Sequence, residues 1–179
     1  MPEYTINHQN LQQKQFCTKN AKDHMVRRGD TMVNTFGRPV AYARLQGGGD
    51  NRLLRGLVRF YQRSGGVLVE VSVRGLPRNQ SGFYALHIHN GRSCLGSGFP
   101  NAGTHYNPTN QMHPHHAGDL PPLLGMEGRA YMAVLTDRFS IDEILGHTVV
   151  IHLEPDDFHT QPSGNSGDKV ACGVILKNR

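Results

Sequence analysis

The sequence predicts an all-β protein, an antiparallel sandwich or barrel. Eight short apolar segments separated by turns, with two long Gly/Pro-rich interruptions, are the first sign. A second is that no amphipathic helix of ten residues can be found. Composition is the third: 21 Gly and 10 Pro, no Trp and 37% hydrophobic residues describe a turn-rich chain, neither a helical bundle nor a disordered one. At 179 residues there is room for one domain with a real core, and too little for two ordinary ones.

Residues 1–37 are polar and rich in Asn, Gln and Lys, and their few apolar side chains (Leu11, Phe16, Met25, Val26) keep no period. A polar N-terminal arm is expected there, flexible or loosely docked, with His8 and His24 as surface residues and the domain occupying residues 38–179. Pro39 opens the strand series at Val40 to Leu45, Leu53 to Gln62 and Val67 to Arg74. The third is the clearest, because Val67, Val69, Val71 and Val73 fall on one face and Leu68, Glu70, Ser72 and Arg74 on the other. Gly47-Gly48-Gly49-Asp50 and Ser64-Gly65-Gly66 supply the turns. Further strands are expected at Phe83 to His89, Leu120 to Leu124, Arg129 to Thr136, Thr148 to Leu153 and Lys169 to Leu176. Ser140 to Gly146 reads as a turn or two of helix ended by glycine.

Nineteen Lys and Arg against 14 Asp and Glu give a net charge of +5, enough to draw small anions. Without a run of five basic residues or a nucleic-acid-binding motif, no nucleic-acid partner is expected. The first residues lack the charged and apolar regions of a signal peptide, and no apolar segment approaches the roughly 20 residues of a membrane span. A cytoplasmic protein without a membrane partner is therefore expected, with release by a non-classical route left open. Cys17, Cys94 and Cys172 allow at most one bridge.

The stretch from Gly82 to Leu120 carries six of the eleven histidines. His87 and His89 are two apart on an expected strand, so both imidazoles project to one face while Ile88 points to the core. His105, His113, His116 and Asp119 follow from a polar loop, and three imidazoles with a carboxylate suit tetrahedral Zn²⁺. His152 closes the apolar run Thr148-Val-Val-Ile-His, bringing a further imidazole toward the His87 and His89 side.

Gly82-Phe83 before His87-Ile88-His89, His105-Tyr-Asn-Pro108, His116-Ala-Gly-Asp-Leu120, Thr148-Val-Val-Ile-His152 with Asp156-Asp157, and Gly164-Asn-Ser-Gly167 before Ala171-Cys-Gly-Val-Ile175 occur in this order. From about Val40 onward the chain resembles the copper/zinc superoxide dismutase family. The resemblance implies an eight-stranded Greek-key β-barrel with a long metal-binding loop. It implies copper on His87, His89, His105 and His152, and zinc on His105, His113, His116 and Asp119, with His105 bridging as an imidazolate. Asp156 would hold His87 and His113 from behind the metals. Cys94 and Cys172 match the family disulfide, whereas Cys17 has no counterpart. The implied reaction is disproportionation of superoxide, with His105 delivering a proton in the second half-cycle.

Several positions depart from the family pattern. Lys169 stands where an arginine attracts and orients the anion, keeping the charge and losing the planar fork. The segment from Leu153 to Asp168, matching the electrostatic loop, is short and holds no Lys or Arg, and Ser163 occupies a channel-border position. Asn90 and Gly91 replace an acidic-led segment. His115 is a rival to His116, while His147 and His159 read as structural or surface groups. The alternative activity is a non-catalytic copper/zinc-binding protein, a metal buffer or delivery module. A copper-only enzyme is opposed by the intact zinc set, and a polyanion-binding barrel rests on charge alone. The resemblance leaves a homodimer open.

Overall fold

The computed structural model describes residues 36–179. The arm expected over residues 1–37, with His8, Cys17 and His24, lies outside the described residues except for Phe36 and Gly37. Eight strands follow: β1 (Ala41–Gly47), β2 (Arg55–Arg63), β3 (Gly66–Arg74), β4 (Phe83–His89), β5 (Asp119–Leu124), β6 (Arg129–Thr136), β7 (Thr148–His152) and β8 (Lys169–Lys177). Each coincides with an expected segment. The largest shifts are at the end of β1, which runs on to Gly47, and at the start of β2, where Leu53 belongs to the preceding turn and Leu54 lies just before the strand.

All pairings are antiparallel, in the order β5-β4-β7-β8-β1-β2-β3-β6. The tight turn from β5 to β6, in which the Met126 amide donates to the Arg129 carbonyl, brings the two ends of this order together and nearly closes the barrel. Besides that turn, two connections, β3 to β4 and β6 to β7, pass between strands that are not neighbours, giving the Greek-key path. β5 carries Pro121 and Pro122, which a strand at the end of the order accepts because a missing N–H there breaks no inner ladder.

Alternation places the core inside. Val67, Val69, Val71 and Val73 of β3 are buried with Leu45, Phe60, Leu86, Ile88, Ile151 and Ile175 from the other strands. Glu70, on the outward face of β3, is nevertheless buried. Its Oε2 accepts a 2.7 Å hydrogen bond from the Tyr61 hydroxyl and pairs with the Arg59 guanidinium at 3.1 Å, so the charge is compensated. The helix α1 (Ile141–Ile144) is one turn, closed at its start by a capping box between Ser140 and Glu143.

β7 is buried throughout, and this organises the site. Val149 and Ile151 enter the core, whereas Val150 joins Phe99, Ala102 and Cys172 in a second apolar cluster outside the barrel wall. Cys172 of β8 is bonded to Cys94 of the β4–β5 loop, with Cα atoms 5.6 Å apart. Closing 78 residues constrains the unfolded chain by about 4–5 kcal/mol in the loop-entropy treatment. The bridge and the cluster hold the long loop against the outer face of β7 and β8, where the histidines gather.

Candidate metal centre

His87 and His89 project together from β4, and Ile88 between them is buried in the core. His152 comes from the end of β7, displaced by a register shift after Ile151. His105 arrives through an isolated bridge with His89, anchored by the Tyr106 amide donating to the Ile88 carbonyl at 2.8 Å. One ligand atom from each of His87, His89, His105 and His152 lies within 4.8 Å of the others, and the same holds for His105, His113, His116 and Asp119. The two sets inferred from the sequence are thus both assembled, and His105 belongs to each. His115 is exposed and belongs to neither set, whereas His116 is buried in the second.

The ring orientations test whether these sets suit a cation. His89 donates through Nδ1 to the Gly103 carbonyl at 2.9 Å, and His152 through Nδ1 to the Gly167 carbonyl at 3.1 Å. Each Nε2 is then a bare lone pair, yet the two Nε2 atoms face one another at 3.1 Å. His87 spends Nε2 on Asp156 Oδ2 at 2.8 Å, leaving a buried Nδ1 without a partner, and His105 Nε2 is likewise buried and unpartnered. Four lone pairs converge, those of His87 and His105 buried without a partner, an arrangement that costs free energy unless a cation accepts them.

The second set has the same logic. His113 donates through Nε2 to Asp156 Oδ1 at 2.8 Å, so its Nδ1 lone pair faces Asp119 Oδ2 at 3.0 Å. His105 Nδ1 lies 2.8 Å from Asp119 Oδ1 and 3.4 Å from His116 Nδ1. Imidazole nitrogens and a carboxylate oxygen so disposed are a fitting donor set for a borderline dication. Asp156 binds His87 with one oxygen and His113 with the other, and so fixes a ring in each set.

Electrostatics favour the ligating protonation states. Burial pushes His87 down to about 4 and His152 to about 3, holds His89 well below its ordinary range, and lowers His116. Burial opposes charge on Asp119, but its hydrogen bond with His105 and the surrounding imidazoles keep the carboxyl below its usual range. Asp156 likewise overcomes burial through hydrogen bonds from His87, the Phe158 amide and His113.

An open pocket leads to His89, His105 and His152 and is lined also by Ser163 and Lys169. Burial lowers the Lys169 amine, and Nζ donates to the Gly103 carbonyl at 2.8 Å, the same oxygen that receives His89. Lys169 is therefore at the pocket, as its sequence position suggested. His147 is half-buried, donating to the Asn90 carbonyl, and His159 is exposed beside Asp157, so neither joins the ligand sets.

Several supporting residues escape a sequence reading. Gln161 clamps His113 across the two loops, accepting from its amide at 3.0 Å and donating to its carbonyl at 2.7 Å. Arg138 Nη1 donates to the carbonyls of Pro114, His116 and Asp119. Gly164 passes so close to Asp156 and His113 that a Cβ there would sit 2.1 Å from Asp156 Oδ1. Asn90 accepts from the Thr104 amide at 3.1 Å, bracing the loop just before His105. Only the Gly-Asn-Ser-Gly motif gave any local signal, because the other contacts join residues far apart in the chain.

Comparison with known proteins agrees with this geometry. The family model described as copper/zinc superoxide dismutase (SODC) matches residues 54–175. The chain is 33% identical over 135 residues to Superoxide dismutase [Cu-Zn] 2 of Aquifex aeolicus, covering 67% of this chain and 78% of that one. It is 34% identical over 151 residues to Superoxide dismutase [Cu-Zn] A of Xenopus laevis, covering 73% and 93%. It is also 36% identical over 129 residues to Superoxide dismutase-like protein YojM of Bacillus subtilis, covering 63% and 64%. With the barrel, the Cys94–Cys172 bridge and both ligand sets in place, the chain belongs to the copper/zinc superoxide dismutase family.

Proposed function

We propose that the protein is a superoxide dismutase. Copper is held by His87, His89, His105 and His152, and zinc by His105, His113, His116 and Asp119. The observation that carries this reading is the complete pair of ligand sets joined at His105. Bound copper supplies a one-electron couple, so that two superoxide anions and two protons become dioxygen and hydrogen peroxide.

The chain's own residues do the rest. Lys169 brings a positive charge to the pocket and draws the anion toward His89 and His152. Its single amine, committed to the Gly103 carbonyl, attracts more than it orients. His105 Nε2 is the atom that holds a proton for the departing peroxide, because Nδ1 remains engaged on the Asp119 side. Asp156 keeps His87 in the tautomer whose Nδ1 faces the metal. Lys169 also favours one rival, a non-catalytic metal-binding protein, since a tied amine is a weaker anion receptor than an arginine fork.

The test is superoxide decay after pulse radiolysis, on protein whose copper and zinc contents are measured in the same sample. Fast decay that His152→Ala abolishes with the fold intact is expected. Full occupancy of both metals with background decay would overturn the enzyme reading in favour of a buffer or delivery module.

A further inference from the structure

One rim of the barrel carries a surface that neither the metals nor the core uses. Strand register sets Arg55 opposite Arg74 and Arg74 opposite Arg129, so three arginines stand in one outward row across β2, β3 and β6. Like charges directly opposed on one face are unfavourable by themselves. Among the described residues, the ion pairs comprise Arg59 with Glu70 and a set of His–Asp contacts, so none of the three guanidiniums meets a carboxylate. All three are exposed.

Three loops meet around this row. The turn before β2, bearing Arg52 and Leu53, touches the start of the β3–β4 loop, where a Cβ on Gly75 would sit 2.6 Å from the Leu53 carbonyl. That loop, bearing Arg78, is bonded to the β5–β6 turn through the Leu76 amide and the Gly128 carbonyl, and again through the Gly125 amide and the Gly82 carbonyl. Bare apolar side chains stand on these loops and at the adjoining strand ends: Leu53 is 86% exposed, Met126 76% and Leu124 60%, with Phe83 opposite Leu124 in register. Five arginines therefore share the rim with two carboxylates, Asp50 and Glu127, and with apolar tips on either side of the row.

We infer that this rim docks the protein onto an anionic lipid surface. A protein partner would be met by an apolar centre inside a polar border. Here the arrangement is reversed, with charge in the middle and apolar groups at the loop tips. A single-stranded nucleic acid would need aromatic platforms beside the cations, whereas the most exposed apolar groups around this row are aliphatic, Leu53, Leu124 and Met126. A phospholipid interface satisfies both halves. Planar guanidiniums pair with headgroup phosphates, while leucine and methionine tips pass the headgroups. The proposal departs from the sequence-based expectation of no membrane partner. The residues involved are scattered over positions 52–129, and only the fold brings them to one rim.

The test uses the full chain in sedimentation with phosphatidylserine-containing vesicles and with pure phosphatidylcholine vesicles. Binding to the first, weakened by salt and at least about tenfold weaker in the Arg74→Gln, Arg129→Gln double variant, is expected. Since the chain has no Trp, Leu53→Trp provides a single fluorescent reporter. Its emission should shift to the blue on anionic vesicles, whereas a reporter at Leu135, near the far end of β6, should not shift. No binding, or binding that both arginine changes leave intact, would overturn the proposal. So would equal binding to heparin or a DNA oligonucleotide with no blue shift at position 53, which would make the rim a general polyanion surface.

Discussion

The Nε2 atoms of His89 and His152 face one another at 3.1 Å, and both rings have already donated their single proton to backbone carbonyls. Two acceptors at that distance repel, so the metal-free protein carries local strain that a cation relieves. Copper binding should raise the melting temperature well above that of the metal-free form, because a ligand taken up by the native state alone stabilises it by mass action. In His152→Ala the copper-dependent rise should shrink while the zinc-dependent rise persists. Calorimetry of each form with each metal reads the difference, and an equal loss of both increments would contradict separate ligand sets.

Asp156 accepts a proton-bearing nitrogen on each oxygen, from His87 and from His113. In Asp156→Asn the amide nitrogen replaces one acceptor with a donor. One ring must then turn over and present N–H to its metal. A fall in metal affinity of about 10- to 100-fold is expected in chelator competition, with little change in far-ultraviolet circular dichroism. Unchanged affinity would show that the shared carboxylate does not set the tautomers.

Gly164 combines a φ of +64° with an approach that would place a Cβ 2.1 Å from Asp156 Oδ1 and 2.7 Å from His113 Nε2. Gly98 has a similar φ of +70° with nothing within 4 Å. Gly98→Ala should therefore cost only backbone strain, about 1 kcal/mol. Gly164→Ala should cost more and also weaken zinc retention by displacing Asp156. Equal effects of the two substitutions, measured by urea unfolding and zinc release, would contradict the steric account.

Acid should destabilise the metal-free protein in a defined window. His87 is pushed down to about 4 and His152 to about 3 by burial, whereas both take up protons near their ordinary value once unfolded. Above about pH 6.5 neither state is protonated, and the two rings add no pH dependence. Between about pH 6.5 and 4 the unfolded chain binds protons that the folded one refuses, so stability falls as pH drops, by up to roughly 2–3 kcal/mol per pH unit for two rings. The urea midpoint of metal-free protein should follow this slope; a flat profile across the window would contradict neutral buried rings.

Much of this was legible in the sequence because its signals are local. The alternating valines of β3 mark a strand by period alone, and His87 with His89 two apart guarantees a shared face wherever that strand goes. Glu70 broke the pattern, since its burial depends on Tyr61 and Arg59 arriving from the neighbouring strand. His115 and His116 could not be told apart by spacing, because the turn that buries one exposes the other. The Gln161 clamp on His113 and the hold of Arg138 on three loop carbonyls join residues 48 and 19 to 24 positions apart. Such contacts leave no periodic trace, and the same is true of the arginine row, which exists only once β2, β3 and β6 are in register.

Whether His105 serves both ligand groups is read most directly by electron paramagnetic resonance of protein loaded with Cu(II) in both sites. A ring shared between the two ions should couple their spins, so that the signal per copper falls well below that of the protein with copper in one site and zinc in the other. Two full, independent Cu(II) signals would contradict a shared His105 and divide the centre into separate metal sites.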